Sequence, residues 1–127
     1  MHKLYKIISF LLIPIIKINT FMRILKKKED KNRYKERFGI TNLKKPLEKK
    51  LIWIHASSVG EFKSSDFIIN NFYNNYYILI TTTTTTAANY AIKNYGDKII
   101  HQYAPFDITL WVNKFLDFWQ PKFVVWI

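Results

Sequence analysis

The sequence contains no cysteine, and among its 127 residues only three are histidine and three are glycine. The absence of cysteine excludes disulfide bonds and thiolate metal sites. The histidines, His2, His55 and His101, are far apart along the chain and show no metal-ligand spacing. The sequence also lacks a glycine-rich nucleotide fingerprint, a phosphate-binding loop and a hydrolase elbow. It therefore predicts no metal and no cofactor.

Acidic residues are scarce, and the resulting imbalance is confined to one end of the chain. Lys and Arg number 20 against 9 Asp and Glu, which gives a formal net charge of +11. Residues 1–50 hold 15 of the basic and 4 of the acidic residues, whereas residues 51–127 hold 5 of each. A neutral body behind a basic leader is not the charge pattern of a nucleic-acid-binding domain. No nucleic-acid partner is therefore predicted.

The leader begins with an apolar segment, residues 4–25, which three basic residues and one proline interrupt. Its charge-free stretch, Ile7–Ile16, is only ten residues long, whereas a membrane span needs about 20 apolar residues. The pattern predicts a hydrophobic, basic N-terminal helix. A short signal-anchor and a helix lying in the membrane interface both remain open.

A basic run, Lys26–Arg37 (KKKEDKNRYKER), follows the apolar segment. Positive charge directly after an apolar helix favours the cytoplasmic side of a membrane. Such charges attract anionic lipid, with about 1 kcal/mol per basic residue near the surface, and Arg33 and Arg37 are the predicted lipid contacts. The alternative is a solvated charge run that only links two elements. Residues 38–50 have the composition of a loop, with Gly39 and Pro46, so the leader is predicted to end near Lys50.

The body, residues 51–127, alternates between strand and helix patterns. The predicted strands are Leu51–Ala56, Tyr76–Thr83, Lys98–Ala104 and Lys122–Ile127. The predicted helices are Glu61–Tyr73, Thr85–Gly96 and Phe106–Trp119, the last with Asp107 as its cap and a core-facing stripe of Trp111, Phe115, Phe118 and Trp119. This order predicts an α/β fold with a Rossmann-like parallel sheet covered on both faces. Because the sequence stops on a strand, the domain is expected to be truncated, the front part of a longer protein.

Parallel sheets bind ligands outside the carboxyl ends of their strands, and the stretch HASSVGE follows the first predicted strand there. Glu61 opens a helix, where a negative charge is favoured, and Ser57 or Ser58 can cap that helix. Glu61 is either a helix-start glutamate with a structural role or a general base that takes a proton from an acceptor hydroxyl. Gly60 either allows close approach of a ligand or makes the turn tight. His55 is predicted to be a buried histidine at the strand end.

Four stretches of the sequence carry a resemblance to a known family. They are RYKERFG (33–39), LIWIHASSVGE (51–61), the threonine run (81–86) and YAPFD (103–107). In this order they resemble the N-terminal portion of 3-deoxy-D-manno-octulosonic acid (Kdo) transferase of Gram-negative bacteria, over essentially the whole chain. One departure is Ala87 and Ala88, where members of that family commonly have a glycine after the threonines.

The resemblance implies a GT-B glycosyltransferase with two Rossmann-like domains, of which residues 51–127 form part of the acceptor-binding one. It implies that Glu61 is the general base for inverting transfer of Kdo from CMP-Kdo to a lipid A precursor (lipid IVA), with Ser57, Ser58 and Gly60 near the acceptor. It also implies a location on the cytoplasmic face of the inner membrane. CMP-Kdo would bind a C-terminal donor domain, expected as a separately encoded partner. The alternative is a non-catalytic membrane-surface protein that binds anionic lipid, the product of a decayed or split gene.

Overall fold

The computed structural model of the protein describes residues 1–45 and 48–127. The strands are β1 (Leu51–His55), β2 (Tyr77–Thr82), β3 (Ile100–Tyr103) and β4 (Phe123–Trp126). The α-helices are α1 (His2–Leu25), α2 (Val59–Lys63), α3 (Asp66–Phe72), α4 (Thr85–Tyr95) and α5 (Thr109–Trp119). Two short 3₁₀ helices, Tyr34–Phe38 and Gly96–Lys98, complete the described elements.

The four strands form one parallel sheet in the order β3-β2-β1-β4. This confirms the predicted α/β class and the parallel Rossmann-like sheet behind an apolar N-terminal helix. Because successive strand residues point to opposite faces, β1 sends Ile52 and Ile54 to one core and Leu51 and Trp53 to the other. The first core includes residues of α2, α3 and α4, and the second includes residues of α5. Helices therefore cover both faces, as the sequence predicted.

The aromatic stripe of α5 faces the sheet. Trp111, Phe115 and Trp119 are almost fully buried, and Phe115 packs on Trp53 with ring centroids 4.8 Å apart. Phe118 is half-buried and contacts Trp119 edge-on. These residues are hydrophobic core, as their helical spacing predicted.

The single helix predicted over residues 61–73 is wrong, because the structure has two helices, α2 and α3, in this stretch. The Ser65 hydroxyl, fully buried, donates a hydrogen bond of 2.6 Å to the Phe62 carbonyl. A serine that bonds back to its own helix competes with the backbone ladder. The chain turns at Ser64 and Ser65 and then starts α3 at Asp66.

The prediction that Asp107 caps the last helix is also wrong. Helix α5 begins at Thr109 with Ile108 at its N-cap, and no side chain caps it. The Phe106 amide donates to the Arg37 carbonyl at 2.8 Å, and the Ile108 amide donates to the Phe106 carbonyl at 2.7 Å. These bonds hold the YAPFD segment in a turn, so the helix starts at Thr109 and not at the predicted Phe106.

The segment predicted as a linker packs against the body over part of its length. The Phe38 ring contacts Phe106 and Trp111 at centroid distances of 5.9 and 4.8 Å. Together with the Arg37 carbonyl contact, this places residues 33–39 beside the loop that follows β3. Of the loop predicted for residues 38–50, Pro46 and Leu47 lie outside the described residues.

Gly39 is the position where the fold requires a glycine. Its φ is +74°, and a Cβ there would overlap the backbone carbonyl of Trp111. We expect Gly39→Ala to lower the free energy of unfolding by at least about 2 kcal/mol, because left-handed backbone alone costs an L-residue about 1–2 kcal/mol. Gly60→Ala is the matched control, since Gly60 lacks a positive φ and a Cβ there meets only open space and the Ser58 Oγ at 4.0 Å. Equal denaturation midpoints for the two variants would contradict this reading.

Candidate functional site

The loops after β1 and β2 meet at the carboxyl edge of the sheet. The Thr83 hydroxyl donates to the Ser57 carbonyl at 2.9 Å, and the Ala56 amide donates to the Thr81 carbonyl at 3.0 Å. These bonds fix the backbone of the HASSVGE segment against the neighbouring strand. The edge is therefore a rigid platform, which is what a binding or catalytic residue requires.

Glu61 lies in the first turn of α2, as predicted, and Ser58 is the N-cap. The Ser58 Oγ accepts from the Glu61 amide at 3.4 Å, and the Ser57 amide donates to Oε2 of Glu61 at 2.7 Å. The pattern resembles a capping box, in which cap and glutamate satisfy each other's amides. One carboxylate oxygen is thus held in place, and among the described residues no hydrogen bond engages Oε1. Gly60 has no positive φ, and a Cβ there would meet nothing nearer than the Ser58 Oγ at 4.0 Å, so the space beside it is open.

His55 ends β1 and is buried, as predicted. Its Nδ1 lies 2.9 Å from the Thr81 Oγ1 and its Nε2 lies 3.1 Å from the Ser57 Oγ. The Trp126 ring stacks on the imidazole at a centroid distance of 4.2 Å. Burial lowers the pKa of His55, while the nearby Glu61 carboxylate opposes this shift. Burial therefore favours the neutral form of the imidazole, which lies between two hydroxyl groups.

The threonine run supplies several separate anchors. Thr84 caps α4 by accepting from the Ala87 amide at 3.1 Å, which confirms the predicted threonine start of this helix. Thr81 and Thr82 point their hydroxyls at His55 and His101, respectively. The sequence alone did not assign these hydroxyls to histidines. His55 lies opposite Thr81, and His101 lies two residues from Tyr103, the residue opposite Thr82. Only the strand register provides these relations.

A second polar cluster lies on β3 and was not anticipated. Arg33 donates through Nε and Nη2 to the two oxygens of Glu36 at 2.9 and 3.0 Å, and through Nη2 to the His101 carbonyl at 2.8 Å. Its Nη1 lies 3.0 Å from the His101 Nδ1. The Glu36 Oε2 also accepts from the buried Tyr103 amide at 2.8 Å. Burial raises the pKa of Glu36, although Tyr103 and Arg33 act in the opposite direction.

Arg37 is also engaged within the protein. It is 9% exposed, its Nη1 donates to the Ala104 carbonyl at 3.0 Å, and its guanidinium lies 4.4 Å from the Phe106 ring centroid. Burial lowers its pKa, and the nearby Glu29 carboxylate partly offsets the effect. The structure therefore revises the expectation for Arg33 and Arg37: both hold the RYKERFG segment on β3 instead of facing outward as lipid contacts.

His101 gives this cluster a pH dependence. Burial and the neighbouring Arg33 lower its pKa to about 3, and its Nε2 lies 2.8 Å from the Thr82 Oγ1. An unfolded histidine titrates near pH 6.5. Between about pH 3 and pH 6.5, the unfolded chain therefore binds a proton at His101 that the folded chain does not bind. We expect the free energy of unfolding to fall by about 1.4 kcal/mol per pH unit from pH 6.5 toward pH 3.

The raised pKa of Glu36 acts with the opposite sign, because the folded chain then takes up a proton before the unfolded one does. Comparing the unmodified protein with His101→Gln isolates the contribution of His101 to the pH dependence of the free energy of unfolding. Urea unfolding at several pH values should give a flatter dependence for this variant. The same pH dependence of the free energy of unfolding in the unmodified protein and in His101→Gln would contradict the assignment of this effect to His101.

Within residues 1–45 and 48–127, no group of three or more His, Asp or Glu side chains is placed to hold a metal ion.

Helix α1 is long and apolar enough to cross a membrane, by length and composition alone, and 11% of its most apolar window is buried. A groove of about 590 Å³ lies between α1 and the 3₁₀ helix Tyr34–Phe38. Its walls include Phe21, Ile24, Phe38 and Ile40, and its lysines are Lys17, Lys31 and Lys35.

Comparison with known proteins places these features in a family. The family model described as 3-deoxy-D-manno-octulosonic-acid transferase (kdotransferase) matches residues 32–127. A 3-deoxy-D-manno-octulosonic acid transferase of Rickettsia bellii is 35% identical over 100% of this chain and 31% of its own length. A probable mitochondrial enzyme of the same name from Arabidopsis thaliana is 31% identical over 98% of this chain and 28% of its own. The 3-deoxy-D-manno-octulosonic acid transferase of Rickettsia typhi is 29% identical over 100% of this chain and 37% of its own length.

No solved structure matches the chain. The chain spans about a third of the length of the curated relatives that it matches. The match by the family model covers RYKERFG and HASSVGE together, and these are the two segments that the structure fixes on β3 and at the carboxyl edge of β1. The chain belongs to the 3-deoxy-D-manno-octulosonic acid (Kdo) transferase family.

Proposed function

We propose that this chain is the acceptor-side part of a Kdo transferase and that Glu61 is its general base. The observation that carries the proposal is the position of the carboxylate. Glu61 lies at the carboxyl edge of a parallel sheet, its Oε2 is held by the Ser57 amide, and open space adjoins the neighbouring Gly60. A general base has to be fixed within hydrogen-bond reach of the proton that it removes. Ser58 supports this position by capping the helix that carries Glu61.

The proposed step transfers Kdo from CMP-Kdo to a hydroxyl of a lipid A precursor with inversion. The acceptor hydroxyl gives its proton to Oε1 of Glu61 while its oxygen forms a bond to the anomeric carbon of Kdo. The bond from that carbon to the CMP phosphate oxygen breaks, and CMP leaves with the electron pair. The residues of this chain supply the base and the acceptor site, and CMP-Kdo would bind a second, donor-side domain of a GT-B enzyme.

The N-terminal helix supports a location at the cytoplasmic face of the inner membrane. Its apolar side chains, among them Leu4, Ile7, Phe10, Leu11 and Ile15, are exposed, and such a surface suits lipid rather than water. The basic run that follows favours the cytoplasmic side. The lysine-edged groove beside α1 combines apolar walls with positive charge, which suits an acylated anionic lipid.

A second candidate, a non-catalytic protein that binds anionic membrane surfaces, draws on the same helix and lysines. Vesicle sedimentation separates the two. We expect the chain to bind vesicles containing a lipid A precursor more tightly than phosphatidylglycerol vesicles of the same surface charge. Equal binding to both would remove the acceptor-side proposal and leave the second candidate.

The lysines at the groove provide a further prediction. Lys31→Glu with Lys35→Glu should weaken binding to either anionic vesicle by at least about 10-fold, because each basic residue near the surface contributes about 1 kcal/mol. The control, Lys93→Glu with Lys122→Glu, changes the charge equally outside the groove. If the control weakens binding as much, net charge and not the groove determines membrane attachment.

A further inference from the structure

Four side chains at the carboxyl edge form one continuous hydrogen-bonded chain. The Trp53 Nε1 donates to the Thr81 Oγ1 at 2.8 Å, this oxygen lies 2.9 Å from the His55 Nδ1, and the His55 Nε2 lies 3.1 Å from the Ser57 Oγ. The first three residues are buried, and Ser57 is half-buried. The chain thus leads from the core of the sheet to the edge where Glu61 lies.

The direction of these hydrogen bonds follows from the number of protons available. The indole of Trp53 can only donate, so the Thr81 oxygen accepts there. If Thr81 donates its own proton to Nδ1 of His55, a neutral imidazole carries its proton on Nε2 and donates it to Ser57. The reverse arrangement would leave the Thr81 proton without an acceptor among the described residues, at a side chain that is 0% exposed. A buried unsatisfied donor is costly, so the first direction is favoured.

The consequence concerns the serine hydroxyl. Because the Ser57 Oγ accepts from His55, its own proton is free to be donated outside the relay. The Ser57 backbone is held on both sides. Its amide donates a hydrogen bond to the Glu61 carboxylate, and its carbonyl accepts one from the Thr83 hydroxyl. The Trp126 ring stacks on the imidazole of His55 at a centroid distance of 4.2 Å.

We propose that Trp53, Thr81 and His55 form a relay of fixed direction that presents the Ser57 hydroxyl proton to an oxygen of the sugar acceptor bound at Glu61. Ser57 is then a substrate-binding donor, and His55 and Thr81 are positioning residues. The inference rests on the proposed function, since it adds a second contact beside the general base. A sugar that lacks an oxygen at the matching position would lose this contact.

The direction of the relay is measured without any ligand. Nitrogen NMR of the full 127-residue chain in detergent should show His55 as the neutral tautomer protonated on Nε2 at pH 7. Thr81→Val, which keeps the shape and removes the hydroxyl, should reduce the preference for this tautomer. A proton on Nδ1 in the unmodified chain would overturn the proposed direction.

The substrate contact is measured on vesicles that contain the lipid A precursor. Ser57→Ala should weaken binding about 3- to 10-fold, the loss of one neutral hydrogen bond, and Ser57→Thr, which keeps a hydroxyl, should recover most of it. Ser64→Ala is the control, because Ser64 is an exposed serine at the far end of α2. Circular dichroism verifies that each variant is folded.

The two proposals fail in different ways. If the unmodified chain prefers acceptor vesicles and Ser57→Ala binds them equally well, the relay inference is wrong and the proposed function stands. If the unmodified chain shows no preference for acceptor vesicles over phosphatidylglycerol vesicles, both are wrong.

Discussion

Replacing Glu61 by glutamine is expected to lower kcat for Kdo transfer by about 10²- to 10⁴-fold, the usual contribution of a general base. The reaction requires a donor domain, so the variant is made in a chimera in which residues 1–127 replace the matching part of the Rickettsia bellii enzyme. That relative is 35% identical over the whole chain. Glutamine keeps an oxygen that can accept from the Ser57 amide, so the turn should stay folded while the base is lost.

The split between kinetic constants makes this test specific. A lost base lowers kcat and kcat/KM together and leaves the KM for the acceptor nearly unchanged. The control is Asp97→Asn, since Asp97 is an exposed carboxylate in the 3₁₀ helix before β3, at the opposite edge of the sheet. Near-normal kcat in the Glu61→Gln chimera would show that Glu61 only caps its helix.

Replacing Glu36 by alanine is expected to lower the free energy of unfolding by about 3–5 kcal/mol, the usual loss when one partner of a buried ion pair is removed. The change leaves the half-buried Arg33 without its bidentate partner and the buried Tyr103 amide without its acceptor. Since a domain of this size is stable by only about 5–15 kcal/mol, the effect is large. Urea unfolding of this chain measures it.

Asp117→Ala is the matched control, because Asp117 is an exposed carboxylate on α5. A double-mutant cycle with Arg33→Met separates the ion pair from the amide contact. The double variant should be less destabilised than the sum of the single variants, since it leaves no unpaired buried charge. An effect of Glu36→Ala no larger than that of Asp117→Ala would show that RYKERFG is not held on β3 as described.

The residues that pattern and chemistry could predict are those whose partners are close in sequence. Apolar runs predicted all four strands and their parallel orientation, because a strand–helix–strand connection permits few topologies. Glu61 was predicted at a helix start with Ser57 or Ser58 as the cap, since these partners lie within one turn, and the structure selects Ser58. The break between α2 and α3 was missed because the hydroxyl of Ser65 could face solvent or bond back, and only packing decides.

Contacts over long sequence distances could not be predicted in this way. Arg33 and His101 are 68 residues apart, and Thr81 and His55 are 26 apart. A basic run was predicted to be a solvated or lipid-facing segment because a pattern of charges does not reveal buried partners. The resemblance included RYKERFG and YAPFD as separate stretches, and the structure adds that they pack against each other through the Phe106 amide and the Arg37 carbonyl.

The proposed role of this chain, as the acceptor side and the base of a Kdo transferase, is tested by Kdo transfer in the chimera with residues 1–127 unaltered. The measurement is transfer from CMP-Kdo to a lipid A precursor in single turnovers. We expect transfer by this chimera and loss of transfer in its Glu61→Gln variant. A folded, membrane-bound chimera that binds CMP-Kdo and transfers no Kdo would contradict it.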